Sequence, residues 1–195
     1  IPCGEKDNIL LATRLGKAIR FDVHDVRVFV GRGSSGVRGI RLKPNDFVVS
    51  MSLIPNEEKR FVLSVTENGF GKRTHVNDYR MTNRGGQGVA NIECSTRNGP
   101  VVASYVASED DQIMLVTNSG KLIRIRVHGG EGDSIRAAGR KTQGVRLFDV
   151  DEGEKVVSVA LLNENDEDET EVDIIELDVK EDKTADNNIE NKDLD

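Results

Sequence analysis

An arginine, three small or polar residues, a glycine and a valine recur three times in this chain with unchanged internal spacing. The segments read GRGSSGVRGI at 31–40, NRGGQGVANI at 83–92 and GRKTQGVRLF at 139–148. The frame is therefore Arg32, Gly36 and Val37, then Arg84, Gly88 and Val89, then Arg140, Gly144 and Val145. A guanidinium stays charged at every physiological pH and presents planar N–H donors that match phosphate oxygens. A glycine nearby lets the backbone approach closely or take a left-handed turn. The chemistry on offer is ionic contact with a polyanion, repeated along the chain. Arg38, Arg41, Lys141 and Arg146 stand within or just beyond the frames and extend the same row.

Other chemistries find less support. The stretch from Gly31 to Gly36 formally matches GxGxxG, but VRGIRL follows as a strand and the other frames drop the extra glycines, so no nucleotide site is expected. His24, His75 and His128 stand without a carboxylate or cysteine at ligand spacing, which leaves neither a metal site nor a general base. Cys3 and Cys94 form no CxxC pair, so a reduced cytosolic setting is expected, without zinc or disulfides. No catalytic residue, cofactor or metal is expected.

The elements that must position the frames repeat with them. Each unit opens on an apolar run, ILLAT at 9–13, FVLSV at 61–65 and IMLVT at 113–117. A turn and a basic strand follow, RLGKAIRF, ENGFGKRTHV and NSGKLIRIRV, and a valine pair closes the unit in FVVSMSLI, PVVASYVA and KVVSVALL. The opening runs advance by 52 residues each time and the frames by 52 and then 56. Registers that drift together mark an internal repeat. Asn68-Gly69 and Ser119-Gly120 between apolar runs are hairpin chemistry, and the β-branched flanks, weak helical periodicity and 19 scattered glycines give about four short strands per unit. The expected fold is all-β and propeller-like, built from four-stranded blades of about 52 residues. Residues 1–6 end a preceding blade or form a linker, 7–57, 58–109 and 110–162 are blades, and 163–195 form a disordered acidic tail.

Composition agrees with several small cores. Of 195 residues, 36% are hydrophobic and 4% aromatic, with no tryptophan, which is lean for one thick core. The start IPCGEKDN lacks a basic and then apolar leader, and no apolar run approaches the length of a membrane span, so a soluble piece of a longer polypeptide without a membrane partner is expected. Charge is unevenly placed. Residues 163–195 hold 15 Asp and Glu against three Lys, a net of −12, so the rest of the chain carries +5 while the whole is −7. Such a tail has too little apolar surface to offset its ordering entropy, apart from VDIIELDV at 172–179, which could dock.

A second row of cations lies on the basic strands: Lys17 and Arg20, Lys72 and Arg73, and Lys121, Arg124 and Arg126. Alternation places Arg124 and Arg126 on one face while Ile123 and Ile125 point inward. Rows repeated from blade to blade follow a phosphate backbone without reading bases, and the scarcity of aromatics favours double-stranded DNA over single strands.

Five stretches, GVRGIRLKPNDFVVSM, ENGFGKRT, RNGPVVAS, DQIMLVTNSGKLIRIRV and GRKTQGVRLFDVDEGEKVVSVALL, resemble the last blades of the C-terminal domain of the DNA gyrase A subunit. The resemblance covers about residues 7–162, and an acidic tail in this position is usual in that family. It implies a β-pinwheel of six blades with duplex DNA wrapped around its basic edge. Such blades do not cut DNA. They present a wrapped segment for strand passage and negative supercoiling, in a cytoplasmic assembly with the ATP-hydrolysing gyrase B subunit and the rest of the gyrase A subunit. The acidic tail would modulate DNA binding.

Two departures accompany the resemblance. The family's Gln-Arg-Arg-Gly-Gly-Lys-Gly box is absent, its nearest match being Asn83 to Gly88, and only three units are present. Related alternatives are a propeller-like scaffold for an acidic protein and the C-terminal domain of the topoisomerase IV C subunit. Type II topoisomerases cleave DNA through a tyrosine, and Tyr79 beside Arg80 is superficially suitable. The resemblance instead places Tyr79 within a blade and the catalytic tyrosine in a separate N-terminal domain. Tyr105 is expected to pack in or against its strand.

Overall fold

The computed structural model describes residues 1–55, 60–128 and 134–162, so the tail expected at 163–195 lies outside the described residues. The strands in chain order are β1 (Asn8–Thr13), β2 (Lys17–Asp22), β3 (Val48–Ile54), β4 (Phe61–Thr66), β5 (Phe70–His75), β6 (Val89–Ala90), β7 (Val101–Ala107), β8 (Gln112–Thr117), β9 (Leu122–Arg126), β10 (Val145–Arg146) and β11 (Val156–Leu162). Single 3-10 turns at Val23–Asp25 and Val76–Asp78 are the helical elements among the described residues. The apolar run and basic strand of each unit form an antiparallel hairpin, β1–β2, β4–β5 and β8–β9. Their turns need the left-handed region, which Gly16, Gly69 and Gly120 occupy at φ 78, 74 and 84°. The valine-pair strands β3, β7 and β11 pair with the first strand of each hairpin.

The fourth strand comes from elsewhere. The spacing predicts four strands from each unit, but the sheets run β3-β1-β2-β6, β10-β5-β4-β7 and β11-β8-β9. Thus β6 of the second unit completes the first sheet, with Lys17 opposite Ala90 and Ala18 opposite Val89. Likewise β10 of the third unit completes the second, with Gly71 opposite Val145 and Phe70 opposite Arg146. The frame glycine makes the exchange possible. Gly88 and Gly144 take φ 69 and 79°, and a Cβ on either would lie 2.4 or 2.7 Å from the carbonyl oxygen of Ala18 or Gly71. Among the described residues the first frame forms no strand and the third sheet has three strands.

β3 packs beside β7 and β7 beside β11, so the valine-pair strands are innermost and the frame strands outermost. Cores lie between sheets. Leu10, Ala12, Ala18 and Ile54 of the first sheet meet Val62, Val76 and Tyr79 of the second unit. On the other face of the second sheet, Leu63, Val65, Ala103 and Ala107 meet Ile113, Leu115, Val156 and Val159. Adjacent residues such as Val62 and Leu63 therefore serve opposite interfaces, as strand alternation requires. The middle sheet is covered on both faces, which is why nearly every position of β4 and β5 is buried.

Candidate nucleic-acid interface

The frame arginines connect neighbouring units. Arg84 donates to the carbonyls of Asp25 (2.7 Å) and Arg38 (3.2 Å), and Arg140 donates to that of Ala90 (3.0 Å). Arg38 lies two residues past Gly36 and Ala90 two past Gly88, so each arginine latches onto the same backbone position of the preceding frame. A second bond repeats in step: the N–H of Arg41 reaches the Gly86 carbonyl at 2.8 Å and that of Glu93 reaches Thr142 at 3.0 Å. The three frames thus form one hydrogen-bonded rim. Arg84 and Arg140, expected as free cations, are half-buried in these latches.

Ladder position accounts for Lys72. Ile19 opposes Leu11 and Ile123 opposes Leu115, and the same place in the second sheet holds Lys72 opposite Ser64. Lys72 is accordingly fully buried rather than on the edge, and its ammonium donates to the Gly139 carbonyl. Thr74 secures the next residue back by donating to the Ala138 carbonyl at 2.7 Å. Burial, followed by the nearby charge of Arg140, lowers the Lys72 pKa to about 8, against a smaller opposing pull from Asp78.

This shift has a testable sign. Between about pH 8 and pH 10 the folded chain binds fewer protons than the unfolded one, so the contribution of Lys72 to stability rises with pH in that window and is flat below it. In denaturant titrations from pH 7 to 10, wild type should gain on Lys72→Met above pH 8; a pH-independent difference would refute the shift.

Arg20, Arg73 and Arg124 share the next ladder position, opposite Leu10, Leu63 and Met114. Arg20 bonds Asn8 at 2.7 Å and reaches the carbonyls of Val76 and Tyr79 in the second unit, and burial lowers its pKa. Arg73 is buried, bonds Glu109 (3.3 Å) and His128 (3.2 Å), and stacks over Phe61 with 4.8 Å to the ring centroid. These two arginines cross between sheets instead of facing solvent. Arg124 is exposed and donates to Gln112 at 2.6 Å.

Lys121 is exposed but faces Asp151 (2.6 Å) and Glu154 (2.9 Å), whose hydrogen bonds raise its pKa. Hydrogen bonds from Ser119 first, then the Asp151 amide, Lys121 and Thr117, hold Glu154 well below the usual carboxylate range. Arg146 pairs with Asp149 and lies over Phe70, as Arg97 does at 4.9 Å. Lys17 is half-buried, whereas Arg32, Arg38, Arg41, Lys141 and Arg126 are exposed.

Arg80 and Arg136 escape the sequence reading. Both are exposed and stand four residues before Arg84 and Arg140, beside the bridges that join Arg20 to Met81 and Arg73 to Ala137. The signal was the longer frame Arg-x-x-x-Arg-x-x-x-Gly-Val, which the first unit breaks with Val28. Tyr79 is 1% exposed and donates its hydroxyl to Asn91 at 2.6 Å, and burial pushes its phenol well above the usual range, so its hydroxyl serves the core of the blade. The Gly31–Gly36 match is exposed and non-helical, and no His, Cys, Asp or Glu cluster among the described residues is placed to hold a metal.

Comparison with known proteins supplies names for this arrangement. A family model described as the DNA gyrase C-terminal domain, beta-propeller, matches residues 7–55, 60–99 and 111–163. The DNA gyrase A subunit of Rickettsia bellii is 38% identical over 92% of this chain and 24% of its own length. The Staphylococcus epidermidis protein of the same name is 40% identical over 83% of this chain and 17% of its own. The chain thus spans about a quarter or less of these relatives. In fold it is similar to a crystal structure of the C-terminal domain of DNA topoisomerase IV, with TM-score 0.72 and 28% identity over 80% of this chain and 47% of that one. It is also similar in fold to a DNA gyrase A C-terminal domain, with TM-score 0.50 and 23% identity over 83% of this chain and 68% of that one.

Proposed function

The chain belongs to the DNA gyrase C-terminal domain family, the β-propeller end of the A subunit, and from that premise we propose that its rim binds duplex DNA and wraps it without cutting it. The observation that carries this reading is the continuous rim, in which frames linked backbone to backbone carry exposed cations, Arg80 and Arg136 at the same place in successive units. The contacts are assigned to Arg32, Arg38, Arg41, Arg80, Arg126, Arg136 and Lys141, while Lys72, Arg73, Arg84 and Arg140 hold the rim together. In the whole protein the wrapped segment is presented for strand passage and negative supercoiling, with the ATP-hydrolysing B subunit and the remainder of the A subunit performing the chemistry in the cytoplasm.

Replacing Arg80, Arg136 and Lys141 together by alanine should weaken binding about equally for all duplex sequences. The slope of log affinity against log salt should flatten by roughly 0.9 for each phosphate no longer neutralised. Fluorescence anisotropy across a salt series reads both. Unchanged affinity with an intact fold would place the DNA path elsewhere, and weak duplex binding by the wild type would favour an acidic-protein scaffold.

The acidic tail is assigned a competing role. Its charge of −12 is tethered to a body of +5, and tethering over about thirty residues gives an effective concentration that can reach millimolar. Removing residues 163–195 should tighten duplex binding, most of all in dilute buffer, because screening at physiological salt acts over about 8 Å. Binding curves of full and shortened chains that coincide at every salt concentration would leave the tail without this role.

A further inference from the structure

The residue after the turn glycine is a lysine in two of the three hairpins, Lys17 after Gly16 and Lys121 after Gly120, and a phenylalanine in the middle one, Phe70 after Gly69. The middle sheet draws its cations here from two other places. Arg97, in the loop that follows β6, lies over the Phe70 ring at 4.9 Å from its centroid, and Arg146, on β10, lies at 5.6 Å. Phe70 is 3% exposed, whereas both arginines are exposed and line, with Asp149 and Lys155, one cleft of about 320 Å³. All the walls of this cleft come from the second and third units, which adjoin. We propose that Arg97 and Arg146 form a clamp for one phosphodiester group, which takes the place of Asp149 on Arg146.

The loop is built to hold Arg97 in place. Fully buried Asn98 accepts from the Ser95 N–H (2.8 Å) and hydroxyl (3.1 Å) and donates to the carbonyls of Glu93 (2.9 Å) and, in the third frame, Gln143 (3.0 Å). Asn68 of the hairpin turn donates to the Arg97 carbonyl itself at 3.0 Å. A guanidinium on so fixed a backbone, laid on an aromatic ring, loses little freedom when an anion binds. Its planar donors also match phosphate oxygens better than an ammonium does.

The charges of the cleft are paired within the chain except for Arg97. Asp151 and Glu154 hold Lys121, Lys155 holds Glu67 at 3.2 Å, and Asp149 holds Arg146. Among the described residues no carboxylate pairs with Arg97. Two guanidinium groups over one ring repel each other, and Asp149 relieves only one of them. The Arg146–Asp149 pair is also easily exchanged, because its side chains are 61% and 81% exposed and water screens their attraction. A phosphodiester between the arginines satisfies both. The clamp rests on the duplex-binding reading and extends it, carrying one backbone phosphate from the third frame, where Arg146 stands, to the turn end of the middle sheet.

Fluorescence anisotropy with a mixed-sequence duplex across a salt series tests the clamp. Arg97→Ala should weaken binding about fivefold or more in dilute buffer and flatten the slope of log affinity against log salt by roughly 0.9. Its unfolding midpoint should stay near that of wild type, because the buried bonds of the loop run through Asn98. Arg97→Lys should recover part of the affinity. Asp149→Asn should tighten binding about twofold or more, a gain that damage to the fold does not produce. The gain should disappear when Arg146 is alanine, whereas a general effect of charge would persist.

Duplex binding by wild type that Arg97→Ala matches in affinity and slope would overturn the clamp and leave the rim reading standing. A gain from Asp149→Asn that survives Arg146→Ala would overturn the exchange. Absence of duplex binding by wild type would remove both readings together. Pyrophosphate titrated against the Arg97 and Arg146 side-chain resonances separates the sources of phosphate. Binding on the order of millimolar is expected, and micromolar binding that depends on Arg97 would overturn the duplex assignment in favour of a free phosphate compound.

Discussion

Valine at Gly88 is expected to detach β6 from β2 and to destabilise the chain by about 3 kcal/mol or more. Two effects add at this position. The backbone sits at φ 69°, a region that a β-branched residue enters only under strain, and a Cβ would lie 2.4 Å from the Ala18 carbonyl oxygen, a backbone atom that cannot swing away. The chain must therefore give up the pairing of Ala18 with Val89 and of Lys17 with Ala90. Denaturant unfolding measures the loss, and hydrogen exchange localises it, because the Asn91 amide that bonds Gly16 should lose protection first. Gly36→Val is the matched control and should stay within about 0.5 kcal/mol, because a Cβ there meets nothing within 4 Å. Equal stability of Gly88→Val and wild type would show that the exchanged strand contributes little.

The second large effect concerns Asn91, at the centre of a buried polar cluster. Its side-chain oxygen accepts from Tyr79 at 2.6 Å, and its amide donates to Ser64 at 3.0 Å and Ser104 at 2.9 Å. All four side chains lie in or against the middle sheet and are almost fully buried. Asn91→Ala should cost about 3 kcal/mol, because it strands the tyrosine hydroxyl and strips both serines of a donor while they keep only each other. Tyr79→Phe deletes one donor and leaves the Asn91 oxygen with Ser64, so about 1 kcal/mol is expected. A loss below about 1 kcal/mol for Asn91→Ala would mean that water replaces the amide.

Much of the architecture could be read locally. The apolar runs ILLAT and IMLVT, and glycines where the hairpins turn, specify strands through contacts between near neighbours, and these strands stand where expected. The destination of the frame strand was not legible, because Val89 and Val145 pair with a strand of another unit and nothing within the frame names its partner. Lys72 shows how a site residue is misplaced. Grouped by its turn, ENGFGKRTHV looks like a basic edge. Counted three residues from Gly69, Lys72 coincides with Ile19 after Gly16 and Ile123 after Gly120, positions whose side chains pack against apolar clusters. A residue count from the turn would have set Lys72 apart, but not Arg73 from Arg124, which share a position and differ in what the next unit places against them.

Strand exchange also fixes how force travels. Because β6 and β10 belong covalently to one unit and by hydrogen bonds to the one before, a pull on the second or third frame by a stiff ligand bent over the rim loads two hairpins at once. Shear is carried along short ladders and across the arginine latches, so no unit can peel away without tearing the outer strand from its predecessor. Shingled in this way, the units should yield together rather than one by one, and the period at which the chain repeats is not the period at which it breaks.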